Sequence, residues 1–237
     1  MVETSLTNED TIEENAIETC THMNRQLYLS DNNIKVGVSM SKAVSSFNFL
    51  TVITLSYTNL ENGGAIALVN ALKNSAPSLQ VIEMAGNNIT YEAAPAIAVF
   101  LAAKRHLKKL NLSENNLKDE GCLEIVKSMD GLELEYVDMS FNDLRREGAL
   151  GLARVVIKKE SFKMLNIDGN MISIKGIEEI KEIFKKCSKL LGPLDKNDPL
   201  GEENEDHEES EGNMDGDDLR ENLEDIEDEF VSVFIFY

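Results

Sequence analysis

The residues of this chain that could do chemistry are few and scattered. Its three histidines, His22, His106 and His207, and its three cysteines, Cys20, Cys122 and Cys187, share no metal-ligand spacing. An odd cysteine count gives no disulfide framework and fits a reducing compartment. There is no H-E-x-x-H, no G-x-S-x-G and no phosphate loop ending in Gly-Lys-Ser or Gly-Lys-Thr. Gly63-Gly64 could cradle a phosphate, yet it sits where other segments carry Glu120-Gly121 or Glu147-Gly148 at a helix start, so it reads as a turn. The carboxylates beyond residue 195 form no twelve-residue calcium loop and read as solvated charge. Asn88-Ile-Thr90 and Asn111-Leu-Ser113 match the glycosylation pattern, but the acidic N-terminus does not read as a secretory signal. No catalytic group, metal or cofactor is indicated, and what remains is the chemistry of a surface.

Charge limits which surface. The 237 residues carry a formal net charge of -20. Residues 195–230 hold 18 acidic and 2 basic side chains, and residues 1–20 hold 6 acidic and none basic, whereas 21–194 is nearly balanced at 19 acidic to 21 basic. Dense carboxylates repel phosphates, which argues against nucleic acid and for a basic protein partner. No stretch reaches the roughly 18 to 20 apolar residues of a membrane helix, so membrane insertion is not expected.

The elements that must position such a surface come from self-similarity. The segments LQVIEMAGNNI (79–89), LKKLNLSENNL (107–117), LEYVDMSFNDL (134–144) and FKMLNIDGNMI (162–172) share the pattern L-x-x-L-x-L-x-x-N-x-L, with weaker copies at 24–34 and 50–60. Their ninth positions are Asn32, Thr58, Asn87, Asn115, Asn142 and Asn170, spaced by 26, 29, 28, 27 and 28 residues. This is the pattern of leucine-rich repeats. Alternating apolar residues such as Leu110 and Leu112 point inward from a short strand, and the asparagine is expected to satisfy backbone groups where the chain turns. Helical spacing follows each strand, with Leu123, Val126 and Met129, or Leu150, Ala153 and Ile157, expected on the buried face. The fold class is therefore α/β, a ribonuclease-inhibitor-like horseshoe of about six strand-helix repeats of about 28 residues.

Three domains are expected. Residues 24–194 form the repeat domain, closed by a helix in 174–187 with Ile177, Ile180 and Phe184 on one face. Residues 1–23 read as a helical cap bearing Ile12, Ala16, Cys20 and Met23, or else the chain is a piece of a longer horseshoe whose earlier repeats are absent. Residues 195–237 read as a largely disordered acidic tail. Within it Leu219, Leu223, Ile226 and Phe230 mark either a transient helix or a docking element, and the apolar end VSVFIFY is an association hazard. Strand residues between the inward leucines should line an exposed concave face: Gln26, Tyr28, Thr54, Tyr57, Glu83, Lys109, Asn111, Glu114, Tyr136, Asp138, Phe141, Asn166 and Asp168. A solvated sheet needs neither Tyr136 nor Phe141, and such aromatics anchor protein partners.

The run YTNLENGGAIALVNALKNSAPSLQVIEMAGNNIT (57–90), then LKKLNLSENNLKDEG (107–121), the start Arg145-Arg146-Glu147-Gly148-Ala149, and FKMLNIDGNMIS (162–173) leading into PLDKNDPLGEE resemble the C-terminal half of plant Ran GTPase-activating proteins. The resemblance covers about residues 24–215. It implies binding of the small GTPase Ran in its GTP form, alone or with Ran-binding proteins, and stimulation of GTP hydrolysis in nucleocytoplasmic transport. It also implies a cytoplasmic, nuclear-envelope or nuclear location. Such a protein is an activator rather than an enzyme with its own active site. The family is understood to use no arginine finger; it positions the GTPase's own groups from the horseshoe rim, chiefly through an asparagine in earlier repeats. That asparagine has no counterpart at the positions read here, the Trp-Pro-Pro targeting motif is missing and the chain's ending is unlike the family's, so activation is expected to be weak or lost. The alternative is a non-catalytic repeat and acidic-tail module that binds basic proteins such as histones.

Overall fold

A computed structural model describes residues 25–31 and 38–198. The expected N-terminal cap, Asn32, the carboxylate run beyond Asp198 and the apolar end lie outside the described residues.

Among the described residues six parallel strands alternate with six α-helices. The strands are β1 (Gln26–Tyr28), β2 (Val52–Thr54), β3 (Val81–Glu83), β4 (Lys109–Asn111), β5 (Tyr136–Asp138) and β6 (Met164–Asn166). The helices are α1 (Val38–Val44), α2 (Glu61–Asn74), α3 (Ala94–Ala102), α4 (Lys118–Lys127), α5 (Arg146–Val156) and α6 (Ile174–Ile183). Strand order in the sheet follows chain order. Each coil lies on the one before, which is the expected repeat solenoid. The register is constant, so template positions form rows across the sheet: Gln26, Val52, Val81, Lys109, Tyr136 and Met164 in one, Tyr28, Thr54, Glu83, Asn111, Asp138 and Asn166 in another.

Between those rows the inward side chains make a single core. Ile53, Ile82, Leu110, Val137 and Leu165 are buried, and so are Leu55, Met84, Leu112, Met139 and Ile167 one step further along each strand. On the helical side the expectation needs correction for α4. Cys122, Ile125 and Met129 enter the core there, while Leu123 and Val126 are only half-buried. Leu123 instead reaches sideways to the next helix, where a Cβ on Gly151 would stand 2.7 Å from it. The apolar stripe is wide because each helix packs against both sheet and neighbouring helices, and spacing alone does not distinguish these contacts.

The ninth-position asparagines stitch the coils together. Asn87 Oδ1 accepts from the backbone N–H of Thr58 (3.0 Å) and Leu60 (3.1 Å) in the preceding coil, and Asn170 Oδ1 likewise accepts from Asn142 (2.8 Å) and Leu144 (3.1 Å). Their Nδ2 groups donate to carbonyls, as Asn115 does to Met84 (3.0 Å) and Leu112 (2.9 Å). Every described ladder asparagine is nine-tenths or more buried, where an unmatched amide would be costly. Thr58 substitutes in part, its hydroxyl donating to Leu55 O at 2.8 Å.

The ladder runs one step past the six repeats read from the sequence. Asn197 Oδ1 accepts from Asn170 N (3.0 Å), Gly192 N donates to Leu165 O (2.8 Å) and Asp198 N donates to Asn170 O (2.7 Å). Residues 191–198 thus follow the path of another coil beside β6, although 195–198 were expected to belong to the tail.

On the opposite side of the sheet lysines close helix ends. Buried Lys104 donates from Nζ to the carbonyls of Lys73, Ser75 and Ala76 at the end of α2, and burial pushes its ammonium pKa down. Lys159 does the same for Met129 O (2.7 Å) and Leu132 O (2.9 Å) beyond α4. Each supplies donors to carbonyls that a helix leaves without partners.

Candidate protein-docking face

On the concave face the two strand rows are laced by charge and hydrogen bonds. Lys109 pairs with Glu83 at 2.6 Å. Glu135 lies between Lys108, at 3.1 Å, and Lys163, and the hydrogen bonds from Lys163 and then Lys108 hold its carboxyl below the usual range. The Lys163 ammonium also stands 5.5 Å from the centre of the Tyr136 ring. Further along the strands, Asp138 Oδ1 accepts from Ser140 N (3.0 Å) and Oγ (2.7 Å), and Asn111 Oδ1 makes the same pair with Ser113. Asn166 Nδ2 donates to Asp138 Oδ2 at 3.0 Å. Asn111, Asp138 and Asn166 therefore hold the strand ends as well as line the face.

Two of the residues expected to be exposed are not. Thr54 is 7% exposed because its short side chain sits between Tyr28 and Glu83 in the register. Asp168 is 5% exposed, with its carboxylate accepting from Lys196 N at 2.8 Å, because residues 191–198 pack over it. Gln26, Tyr28, Tyr57, Glu114, Tyr136 and Phe141 are exposed, and Glu83, Lys109, Asn111, Asp138 and Asn166 are intermediate. Exposed Met164 shares the row of Tyr136 and was missed, although its template position marks it.

The eighth template position builds a ridge where the strands end. Asp31, Tyr57, Gly86, Glu114, Phe141 and Gly169 all have φ between 53° and 67°. For bulky Tyr57 and Phe141 this left-handed backbone is strained, of a kind that clusters at functional sites. Each aromatic ring lies over the glycine of the next coil: a Cβ on Gly86 would come within 2.3 Å of the Tyr57 ring, and one on Gly169 within 2.3 Å of Phe141. Each side chain then reaches a charge two coils away. The Tyr57 hydroxyl donates to Glu114 Oε1 at 2.5 Å, and the Lys196 ammonium stands 5.8 Å from the centre of the Phe141 ring. The bond to Glu114 is the main cause that raises the Tyr57 phenol above its ordinary pKa. Aromatic, glycine, charge is thus repeated twice, giving two rigid exposed rings.

The connections from strand to helix also collect acid, with Asp31, Glu92, Glu114, Asp143, Asp195 and Asp198 among them. Exposed Tyr57, Tyr91, Phe141 and Ile174 stand on the same rim. Apolar anchors inside a charged surround are the usual composition of a protein-binding surface.

Among the described residues no group of three or more His, Cys, Asp or Glu could hold a metal ion. His106 stands on the far rim, and Cys122 is buried among apolar groups, which pushes its thiol pKa up. Gly63 and Gly64 occupy the first turn of α2. No helix among the described residues is long and apolar enough to cross a membrane.

Coils, ladder and row geometry define a leucine-rich repeat protein, and a leucine-rich repeat family pattern matches residues 103–126 and 134–153. Over part of its length the chain is similar to RAN GTPase-activating protein 2 of Arabidopsis thaliana, with 64% identity over 150 residues, 62% of this chain and 28% of that protein. RAN GTPase-activating protein 1 of the same plant is 47% identical over 150 residues, covering 63% of this chain and 28% of its own length. The mouse ribonuclease inhibitor is 29% identical over 153 residues, 64% of this chain and 34% of that protein. The chain thus spans little more than a quarter of the plant relatives it matches.

Proposed function

We propose that the chain binds the small GTPase Ran and acts in stimulating its GTP hydrolysis, in the cytoplasm or at the nuclear envelope during nucleocytoplasmic transport. The observation that carries this reading is the 64% identity to a plant protein whose name states that activity. The strand-to-helix rim supports it physically, since Tyr57 and Phe141 are exposed and held in place before any partner arrives, which lowers the ordering cost of binding. In this reading the chain supplies position and charge rather than a reacting group. The rings anchor the GTPase, the acidic rim attracts its basic patches, and the GTPase's own residues stabilise charge on the transferring phosphoryl.

Single-turnover GTP hydrolysis by Ran, with and without the chain, tests activation; surface-immobilised binding of GTP-loaded Ran tests recognition. Saturable binding with acceleration smaller than that of a full-length relative is the expected result. Absence of Ran binding at concentrations where the full-length relative saturates would overturn the proposal.

A further inference from the structure

The rim opposite the aromatic ridge carries a second feature, a cleft of about 400 Å³ between the C-terminal ends of α2 and α3. Lys73, Arg105 and His106 line it and are exposed, and no carboxylate lines it. No ion pair or hydrogen bond is made by these three side chains among the described residues. By contrast, Lys108 and Lys163 share Glu135, Lys127 pairs with Glu124, and Lys185 pairs with Glu182.

A helix C-terminus ordinarily presents carbonyl oxygens and repels anions. Here the buried Lys104 ammonium occupies the carbonyls of Lys73, Ser75 and Ala76, so a cation forms the floor of the cleft. Lys73, Arg105 and His106 line the same cleft, with Asn74 among them, so the side chains available there are an ammonium, a guanidinium, an imidazole and a carboxamide. We propose that this cleft binds a phosphoryl group. A carboxylate carries a single charge, whereas a phosphate monoester carries between about -1.5 and -2 and offers three oxygens. An arginine fork meets two of those oxygens at once, and Lys73 adds a point charge. The group could belong to a free phosphate compound or to a phosphorylated side chain, and the two sources are separable by experiment. The proposal is independent of Ran, because the cleft lies on the rim away from Tyr57 and Phe141.

The test is amide chemical-shift titration of the full chain, with inorganic phosphate in one arm, O-phosphoserine in the second and chloride at matched ionic strength in the third. Saturable shifts confined to residues 73–77 and 102–106, with half-saturation below about 10 mM, are expected with at least one phosphoryl ligand. Saturation by both identifies the phosphoryl group alone as sufficient, and saturation by O-phosphoserine only identifies a phosphorylated side chain. Arg105→Ala should weaken binding about tenfold, as loss of a charge-assisted hydrogen bond does, while Lys189→Ala on the same rim leaves it unchanged. Both substitutions are at exposed positions, and circular dichroism checks that each variant is folded. Shifts that match those in chloride, that spread over all surface lysines, or that keep the same half-saturation in a folded Arg105→Ala variant would overturn the assignment.

Discussion

The two rims of the solenoid are made by the same coils, yet they differ in charge, in shape and in how they are held. Where strands lead into helices, acid predominates, aromatic rings stand over glycines and the asparagine ladder lies beneath. Where helices return to strands, Lys104, Arg105, Lys158, Lys185, Lys186 and Lys189 make the edge basic, and single lysines close the ends. The origin of the difference is local. Helix first turns carry Glu61, Asp119, Glu120 and Glu147, and last turns carry Lys42, Lys73, Lys127, Arg154 and Lys181, each placed favourably for its own helix dipole. In a bundle of antiparallel helices such preferences cancel. In a solenoid every helix runs the same way, so preferences worth a few tenths of a kcal/mol each sum into a molecule with an acidic and a basic edge.

The sharpest way to break this comparison is to remove one support from each rim. Asn87→Ala should cost about 4 kcal/mol in urea denaturation, because it strands the buried N–H groups of Thr58 and Leu60 and removes two donors. Lys104→Met keeps the stem near Phe100 and should cost less, about 2 kcal/mol. Equal losses would show the rims to be held alike.

Next in size is Gly86→Ala, expected to cost about 2 kcal/mol from its left-handed backbone and the collision with Tyr57. In a Tyr57→Ala background the same substitution should cost only about 1 kcal/mol, since the backbone cost alone remains. A cost that does not fall in the double variant would mean that the ring moves aside and is not a fixed anchor.

For Ran binding, Phe141→Ala should weaken affinity about tenfold, while Phe49→Ala, 70% exposed on the other rim, should leave it unchanged. The reverse ranking would move the interface to the basic edge.

The smallest effects are in pH. Glu135 has a depressed pKa, so its contribution is present above the ordinary carboxylate value of 4.5 and is lost as pH falls through the folded value. Tyr57 has a raised pKa, so its contribution is present below 10.0 and is lost as pH rises through the folded value. Glu135→Gln should shrink the acid-side component of the stability profile, to which Glu179 also contributes, and Tyr57→Phe the alkaline one, to which Lys163 also contributes. An unchanged profile in either variant would remove that contact from the account.

Much of this architecture is visible in the amino-acid order because period and structure coincide. Leu110, Leu112 and Asn115 each recur at their own template position, and each position has one job. Asn197 escaped because its segment puts Lys189, Gly192 and Pro199 where the template has leucines, and its hydrogen bonds to Asn170 and Leu194 reveal it. Lys104 and Lys159 carry no local signature, since the carbonyls they serve lie about 30 residues earlier in the chain. Of the surface residues, Tyr57 and Phe141 were legible by type. Their left-handed backbone and their partners Glu114 and Lys196 were not, because those contacts skip a coil.

The asparagine ladder has a direction. From Thr58 onward each coil offers N–H groups to the carboxamide of the coil that follows, so a coil can be added to or removed from this stretch and its neighbours still find one another. A change of one to three residues is absorbed in the connections, as ladder steps of 27 to 29 residues show, whereas a larger partial coil would carry the next carboxamide off its target. Small differences in length therefore collect within coils, while the number of coils changes only in whole units.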